Sequence, residues 1–372
     1  MLTLGGVDGG RAAAVSDALP GALAGTAPIA LGFTPAPDEV VPDGTAVVIA
    51  TSGSSGIPKR VVLSAAALRA SAEATAARIG TGQWMLALPA AYIAGVQVIG
   101  RSQLAGYEPV LLEERFAPDA FVRATEGLRT DVDRFTSFVP AQLQTLLDAA
   151  DDDERVLDAL RSYRAILIGG QALPDSVRGR AVDTGVRIVR TYGSSETAGG
   201  CVYDGVPLEG VRLAEVDGEI RIAGPHLATG YLGYAALTAA TFVSDNDGIR
   251  WYRTGDAGTV AEGRLRITGR LDNVIVSGGI NVSLDRVERV VRSIRGLEQA
   301  VVVGVPDERW GEASVVFATG ADAANRLDDV RERVADEIGR HARPVRIQIM
   351  PELPLLASGK PDREALRRLA RG

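Results

Sequence analysis

Short apolar runs and longer apolar stripes alternate along the chain. Ala46 to Ala50 is an unbroken apolar run, and Arg60 to Leu63 is a second short strand-like run after an intervening polar loop. Ser64 stands before the Ala-rich stretch Ala65 to Ile79, where it is placed to cap a helix. Further strands are predicted at Trp84 to Leu88, Pro109 to Leu112, Phe135 to Val139, Ala165 to Ile168 and Val186 to Arg190. Between them fall predicted helices at Ile93 to Leu104, Pro118 to Glu126, Ala141 to Ala149, with an acidic stop at Asp151-Asp152-Asp153, and Pro174 to Val182. The lead-in before residue 45 is Pro-rich and nearly aperiodic, apart from a short helix at Arg11 to Leu19. This alternation predicts mainly parallel sheets covered by helices.

After about residue 205 the pattern turns to short strands, Glu219 to Ile222 and Leu265 to Thr268, with turn signals at Asp217-Gly218 and Glu262-Gly263. After Leu271 a compact unit follows: helix Val287 to Ile294, strands Ala300 to Val305 and Ala313 to Ala318, helix Leu327 to His341, strand Val345 to Met350, and a polar, basic tail. The expected fold class is therefore α/β. A large N-terminal domain (1–270) of helix-covered β-sheets carries a small β-rich subdomain, and a small C-terminal α/β domain (271–372) follows a junction at Arg270 to Asn273.

Composition narrows the functional classes. At 372 residues and 46% hydrophobic, the chain is long enough for two cores. A net charge of −7 without a basic run argues against general nucleic-acid affinity. The single Cys201 excludes an internal disulfide, and with only His226 and His341 beside it a Cys/His metal cluster is excluded too. The two histidines read as structural or exposed. The N-terminus lacks signal-peptide character and no apolar run reaches membrane-span length, so a cytoplasmic protein is expected.

The candidate chemistry begins with Thr51-Ser52-Gly53-Ser54-Ser55-Gly56-Ile57-Pro58-Lys59. Glycines let backbone N–H groups approach an anion, hydroxyls donate to it, and a lysine adds charge. Ile57-Pro58 stands where a Walker loop needs Gly-Lys, so this is a phosphate loop of another kind, or else a plain Ser/Gly surface loop. Four more stretches follow in order: Tyr192-Gly193-Ser194-Ser195-Glu196-Thr197, Tyr252-Arg253-Thr254-Gly255-Asp256, Gly269-Arg270-Leu271-Asp272 and Ser358-Gly359-Lys360. Singly, each acid reads as a turn or cap residue and Lys360 as solvent-facing.

Together, from about residue 45 to the C-terminus, they resemble the adenylate-forming superfamily of acyl-CoA synthetases, peptide-synthetase adenylation domains and luciferases. The resemblance implies two steps: a carboxylate attacks the α-phosphate of ATP, and a thiol, usually coenzyme A, then displaces AMP. It implies that Thr51, Ser52, Gly53, Ser54, Ser55, Gly56 and Lys59 hold the outer phosphates. Thr197 would meet the α-phosphate and Glu196 would help bind Mg2+. Gly169, Gly170, Gln171, Tyr192 and Gly193 would surround the adenine, Asp256 would accept from the ribose, and Arg270 would support it. Lys360 would reach the reacting phosphate and carboxylate. Asp272 falls at the family's hinge, about which the mobile small domain turns to bring Gly278 and Gly279 to the thiol channel.

The resemblance is less decisive about the acid. Only about fifty residues precede the phosphate loop, and Leu88 to Gly95 resembles the acyl-pocket segment of the short o-succinylbenzoate–CoA ligases of menaquinone synthesis. Tyr92 stands where that group usually has His or another aromatic. A second carboxylate on the substrate would need a cation or neutral donors. Arg101, one helical turn from Gln97, is the candidate, with Tyr92, Ser194 and Ser195 nearby; the rival reading of Arg101 is a surface salt bridge. Other readings are an aryl- or fatty-acyl-CoA ligase, an adenylation enzyme loading a carrier protein, or a nucleotide-binding regulator without catalysis. A homodimer is one way to compensate for a short N-terminal region.

Overall fold

The computed structural model describes residues 1–51, 59–356 and 360–371. The expected Ser52–Gly56 contacts and the Ser358-Gly359 pair lie outside these residues.

The strand Thr45–Thr51 and the strand Lys59–Ser64 pair antiparallel around the phosphate-loop position, with the Thr51 hydroxyl donating to the Lys59 carbonyl at 3.3 Å. They belong to a five-stranded mixed sheet that also holds Ile29–Leu31. Ser64 caps the helix Ala65–Ile79 by accepting from the Ala67 N–H at 3.1 Å, as its position predicts. A second, seven-stranded sheet runs through Gln83–Leu86, Arg134–Phe138, Ala165–Ile168 and Ile188–Ser194, all parallel, and turns antiparallel at Gly199–Tyr203. The helix Ile93–Leu104 packs between these sheets, and the buried cluster from Val15 to Leu265 joins both to the β-rich part.

The β-rich part is an antiparallel sheet of Arg212–Val216, Glu219–Ala223, Arg250–Ala261, Phe242–Ser244 and Arg264–Arg270. Asp217 and Gly218, and likewise Glu262 and Gly263, all have positive φ between 51° and 78°. These are the mirror-image hairpin turns that match strand twist. The remaining residues build the small C-terminal domain: helix Leu284–Arg292 over a sheet of Ile280–Ser283, Val274–Ser277, Gly311–Thr319, Val301–Asp307 and Arg346–Met350. Among the described residues, its apolar clusters contain none before Ile275. The architecture is that of a large N-terminal and a small C-terminal α/β domain.

Three elements differ from the sequence expectation. The helix Pro140–Ala150 ends at Asp151, as the acidic run predicts, but a further helix follows at once: Asp153 accepts from the Arg155 N–H at 3.0 Å and starts Glu154–Arg161. The stretch around Asp256 is a twelve-residue strand, Arg250–Ala261, bulged between Ala257 and Gly258. The basic tail is a helix, Arg363–Arg371, seated by Leu366 and Ala370 against the strand Val301–Asp307.

Candidate functional site

The site gathers at the C-terminal ends of the parallel strands, where open α/β sheets bind ligands. The strand Ala165–Ile168 runs out into Gly169-Gly170-Gln171. A Cβ at Gly169 would lie 2.6 Å from the Thr191 hydroxyl, so the chain passes too close for any other residue. One strand over, Tyr192 and Gly193 sit at a bulge, and the Tyr192 hydroxyl donates to Asp256 at 2.5 Å. Asp256 stands opposite Arg270 in the strand ladder and accepts from its guanidinium at 3.1 Å. Burial pushes the Asp256 carboxyl above the usual aspartate range, while the Tyr192 hydroxyl and Arg270 pull it back.

Arg270 forks onto Asp272 at 3.0 and 3.1 Å, and its backbone N–H donates to Asp285 at 2.7 Å. One side chain thus ties the last strand of the large domain to the junction. Glu196 is buried and accepts from the Tyr231 hydroxyl at 2.9 Å. The Lys59 ammonium lies 5.5 Å from the centre of that same tyrosine ring. Lys360, from the small domain, arrives over the glycine turn: a Cβ at Gly170 would be 3.9 Å from its Cε. Desolvation of the ammonium at this junction lowers the Lys360 pKa below the ordinary lysine value, Arg270 adds to the shift, and the Glu196 and Asp256 carboxylates oppose it.

The expectation for Thr197 is corrected. Its side chain is fully buried, and its hydroxyl accepts from the Ser194 N–H at 2.8 Å and lies 2.8 Å from the Gly199 carbonyl. It caps the short 3-10 turn Ser195–Thr197 from inside and has no face left for a phosphate. The neighbouring Ser195 is partly exposed and starts the same turn. Ser194 is likewise turned inward: its Oγ is buried beside the Tyr252 hydroxyl.

The acid-pocket candidates lie along the helix Ile93–Leu104. Half-buried Tyr92 precedes its first turn. The Gln97 amide donates to the Ala198 carbonyl at 2.8 Å and to Leu68 at 3.3 Å, so it braces the helix against the Ser195–Thr197 turn rather than offering that donor to a ligand. Arg101 is 7% exposed, which removes the surface-salt-bridge reading. Its guanidinium lies 5.3 Å from the Trp84 ring centre and faces Tyr203, its Nε has no partner, and among the described residues no carboxylate forms an ion pair with it. Burial without an anion lowers its pKa.

In the small domain Gly278 and Gly279 form a positive-φ turn, and the Gly278 N–H donates to the carbonyl of Trp310. Trp310 is exposed, with Arg309 over its ring at 5.1 Å. Tyr231 and the Arg309-Trp310 pair escape sequence reasoning: none belongs to the five motifs, and each gains its place only through folding.

Residues 8–232 match the AMP-binding enzyme family, and residues 286–360 match the AMP-binding enzyme C-terminal domain. The chain belongs to the AMP-binding, adenylate-forming enzymes. It is 38% identical to a probable 2-succinylbenzoate–CoA ligase of Mycobacterium tuberculosis over 89% of this chain and 86% of that one. A 2-succinylbenzoate–CoA ligase of Listeria monocytogenes is 31% identical over 87% of this chain and 69% of its own. Among solved structures, the o-succinylbenzoate CoA synthetase of Bacillus subtilis, in complex with the acyl-adenylate intermediate OSB-AMP, superposes with a TM-score of 0.73 at 26% identity, covering 87% of this chain and 69% of that one. The amide bond synthetase McbA of Marinactinospora thermotolerans superposes at 0.76 and 29% identity, covering 91% and 71%. Among these adenylate-forming enzymes the chain falls with the acid–CoA ligases that bind ATP.

Proposed function

We propose that this enzyme is an o-succinylbenzoate–CoA ligase. The observation that carries the choice of acid is Arg101: a buried guanidinium, without an anion, on the helix that Gln97 braces against the Ser195–Thr197 turn. An uncompensated buried cation is costly, and a substrate carboxylate that reached it would offset that cost. A diacid supplies one carboxylate for reaction and one for Arg101.

In the first step a carboxylate oxygen bonds to the α-phosphorus of ATP, the bond to the bridging oxygen breaks, and pyrophosphate leaves. Two anions meet, so fixed donors and cations lower the barrier where negative charge gathers. This role falls to Lys360 in the proposed reaction, and a single lysine charge is easily withdrawn afterwards. Ser195 takes the α-phosphate role that Thr197 cannot fill. Asp256, held by Tyr192 and Arg270, accepts from the ribose hydroxyls.

The Tyr231 hydroxyl holds one oxygen of Glu196, and among the described residues no hydrogen bond takes up the other. That donor set suits Mg2+, which commonly keeps waters and binds phosphates with one or two carboxylates; the ion would neutralise phosphate charge. In the second step the coenzyme A sulfur bonds to the acyl carbon, AMP leaves, and the thiol proton goes to solvent. Gly278 and Gly279, with Trp310 beside them, are the proposed wall for that thiol after the small domain turns about Asp272.

The test is pyrophosphate release with ATP, Mg2+, CoA and a panel of o-succinylbenzoate, benzoate, a medium-chain fatty acid and amino acids, followed by product analysis with and without an added amine. Release confined to o-succinylbenzoate with formation of its CoA thioester is the expected result. Release with a different acid keeps the chemistry and removes the substrate. Adenylate that passes to an amine but not to CoA would put the enzyme with the amide bond synthetases.

A further inference from the structure

Glu288 is a buried acid that neither half-reaction uses. It stands on the helix Leu284–Arg292, between the two apolar clusters of the small domain, with its side chain 7% exposed. Its carboxylate lies 3.0 Å from Arg292 and 2.8 Å from Arg363, and it accepts from the Val302 N–H at 2.9 Å. Arg363 closes the circle by donating to the Val302 carbonyl at 2.8 Å. An ionic knot this deep is poor value as generic stabilisation, since apolar side chains of the same volume often do as well. Its location suggests a purpose.

Arg363 is three residues beyond Lys360, so at most about 11 Å of chain separates them. The described residues beside Lys360 are cross-bonded: the Leu356 N–H donates to the Lys360 carbonyl and the Asp362 N–H to the Pro354 carbonyl, both at 2.8 Å. Leu355 and Pro361 bridge between these bonds. The knot is the fixed base of the loop that carries Lys360.

We infer that Glu288 and Arg363 are positioning residues for adenylation, a clamp that holds the base of the Lys360 loop so that the ammonium meets the reacting phosphate. The inference rests on the proposed role of Lys360. It makes the clamp selective for the first half-reaction, because thiol transfer does not use Lys360. A merely structural knot would affect both halves equally.

The experiment compares wild type with Arg363→Ala, Glu288→Gln and Lys360→Ala. It measures adenylate formation and thiol transfer separately, with o-succinylbenzoate or whichever panel acid is turned over. Hydrogen exchange over residues 353–363 of the substrate-free proteins is followed alongside. For Arg363→Ala we expect adenylate formation to fall roughly ten- to hundred-fold, chiefly in kcat, as displacement of a reacting group by an ångström does. Thiol transfer from supplied adenylate should hold, and the Leu356 and Asp362 amides should exchange faster. Glu288→Gln keeps the side-chain size but removes the charge and turns one of the two acceptor oxygens into a donor, so it should show a shift of the same kind. Parallel loss of both half-reactions, or unchanged exchange at these amides, overturns the clamp. If Lys360→Ala spares adenylation, the role of Lys360 falls, and with it the selectivity of the clamp. If Lys360→Ala is selective and Arg363→Ala is not, the clamp alone is wrong.

Discussion

Arg101 has given up hydration without gaining an anion. Its ring neighbour Trp84 and the Tyr203 hydroxyl soften that loss but carry no opposite charge. A charge-assisted hydrogen bond contributes about 1.5–3 kcal/mol, so Arg101→Ala should lower kcat/KM for o-succinylbenzoate by roughly ten- to more than a hundred-fold. Benzoate, with one carboxylate, should change far less. An unchanged ratio between the two acids would take Arg101 out of the pocket. His226 is a different kind of buried residue. It is 3% exposed, its Nε2 has no partner among the described residues, and burial pulls its pKa down to about 4. Its charged form is thus disfavoured in the folded chain relative to an unfolded value of about 6.5. The associated stability is present above pH 6.5 and is lost as pH falls from there towards 4. By linkage it is worth on the order of 3 kcal/mol. Urea unfolding at pH 7 and pH 4.5 should show a steeper loss for wild type than for His226→Gln; equal losses would mean the imidazole is not paying a burial penalty.

At the scale of elements, legibility followed the periodicity. Ser64 and the Ala-rich stretch behind it announce their helix because cap and helix formers agree. The helix Glu154–Arg161 is hidden because the three aspartates end the helix before it, and only the Asp153 side chain shows that they also start the next. Asp153→Ala should therefore cost about 1 kcal/mol. Urea unfolding measures it, and no change would mean that Arg155, which bonds Asp153 too, had already frayed the cap. The strand Arg250–Ala261 was hidden by its own function: Gly255, Asp256 and the bulge at Gly258 break a period-two pattern where the site needs them. The tail helix Arg363–Arg371 was masked by its arginines, since its seat is only Leu366 and Ala370. In the site, motif order located Glu196, Asp256, Arg270 and Lys360 in one region. The neighbouring Thr197 and Ser195 could be told apart only by burial, which depends on a single turn of 3-10 helix.

At the scale of the molecule, the two domains have separate apolar clusters and a polar junction. Arg270 bonds Asp285, Arg289 donates to the Thr268 carbonyl at 3.0 Å, and Gln299 donates to Gln144 at 3.1 Å. Such a seam holds orientation weakly, and Lys360 over Gly170 is the contact that brings the small domain to the nucleotide site. Nucleotide should strengthen it. A ligand that binds only the folded state at a hundred times its Kd adds about 2.7 kcal/mol, shared by whatever unfolds with the site. Scanning calorimetry of the free enzyme should therefore resolve an unfolding transition for each domain. Saturating ATP with Mg2+ should raise both in wild type, because nucleotide contacts both sides of the seam. In Lys360→Ala it should raise the large-domain transition and leave that of the small domain in place. A small-domain transition that ignores ATP in wild type would mean that Lys360 does not couple the domains in the nucleotide complex.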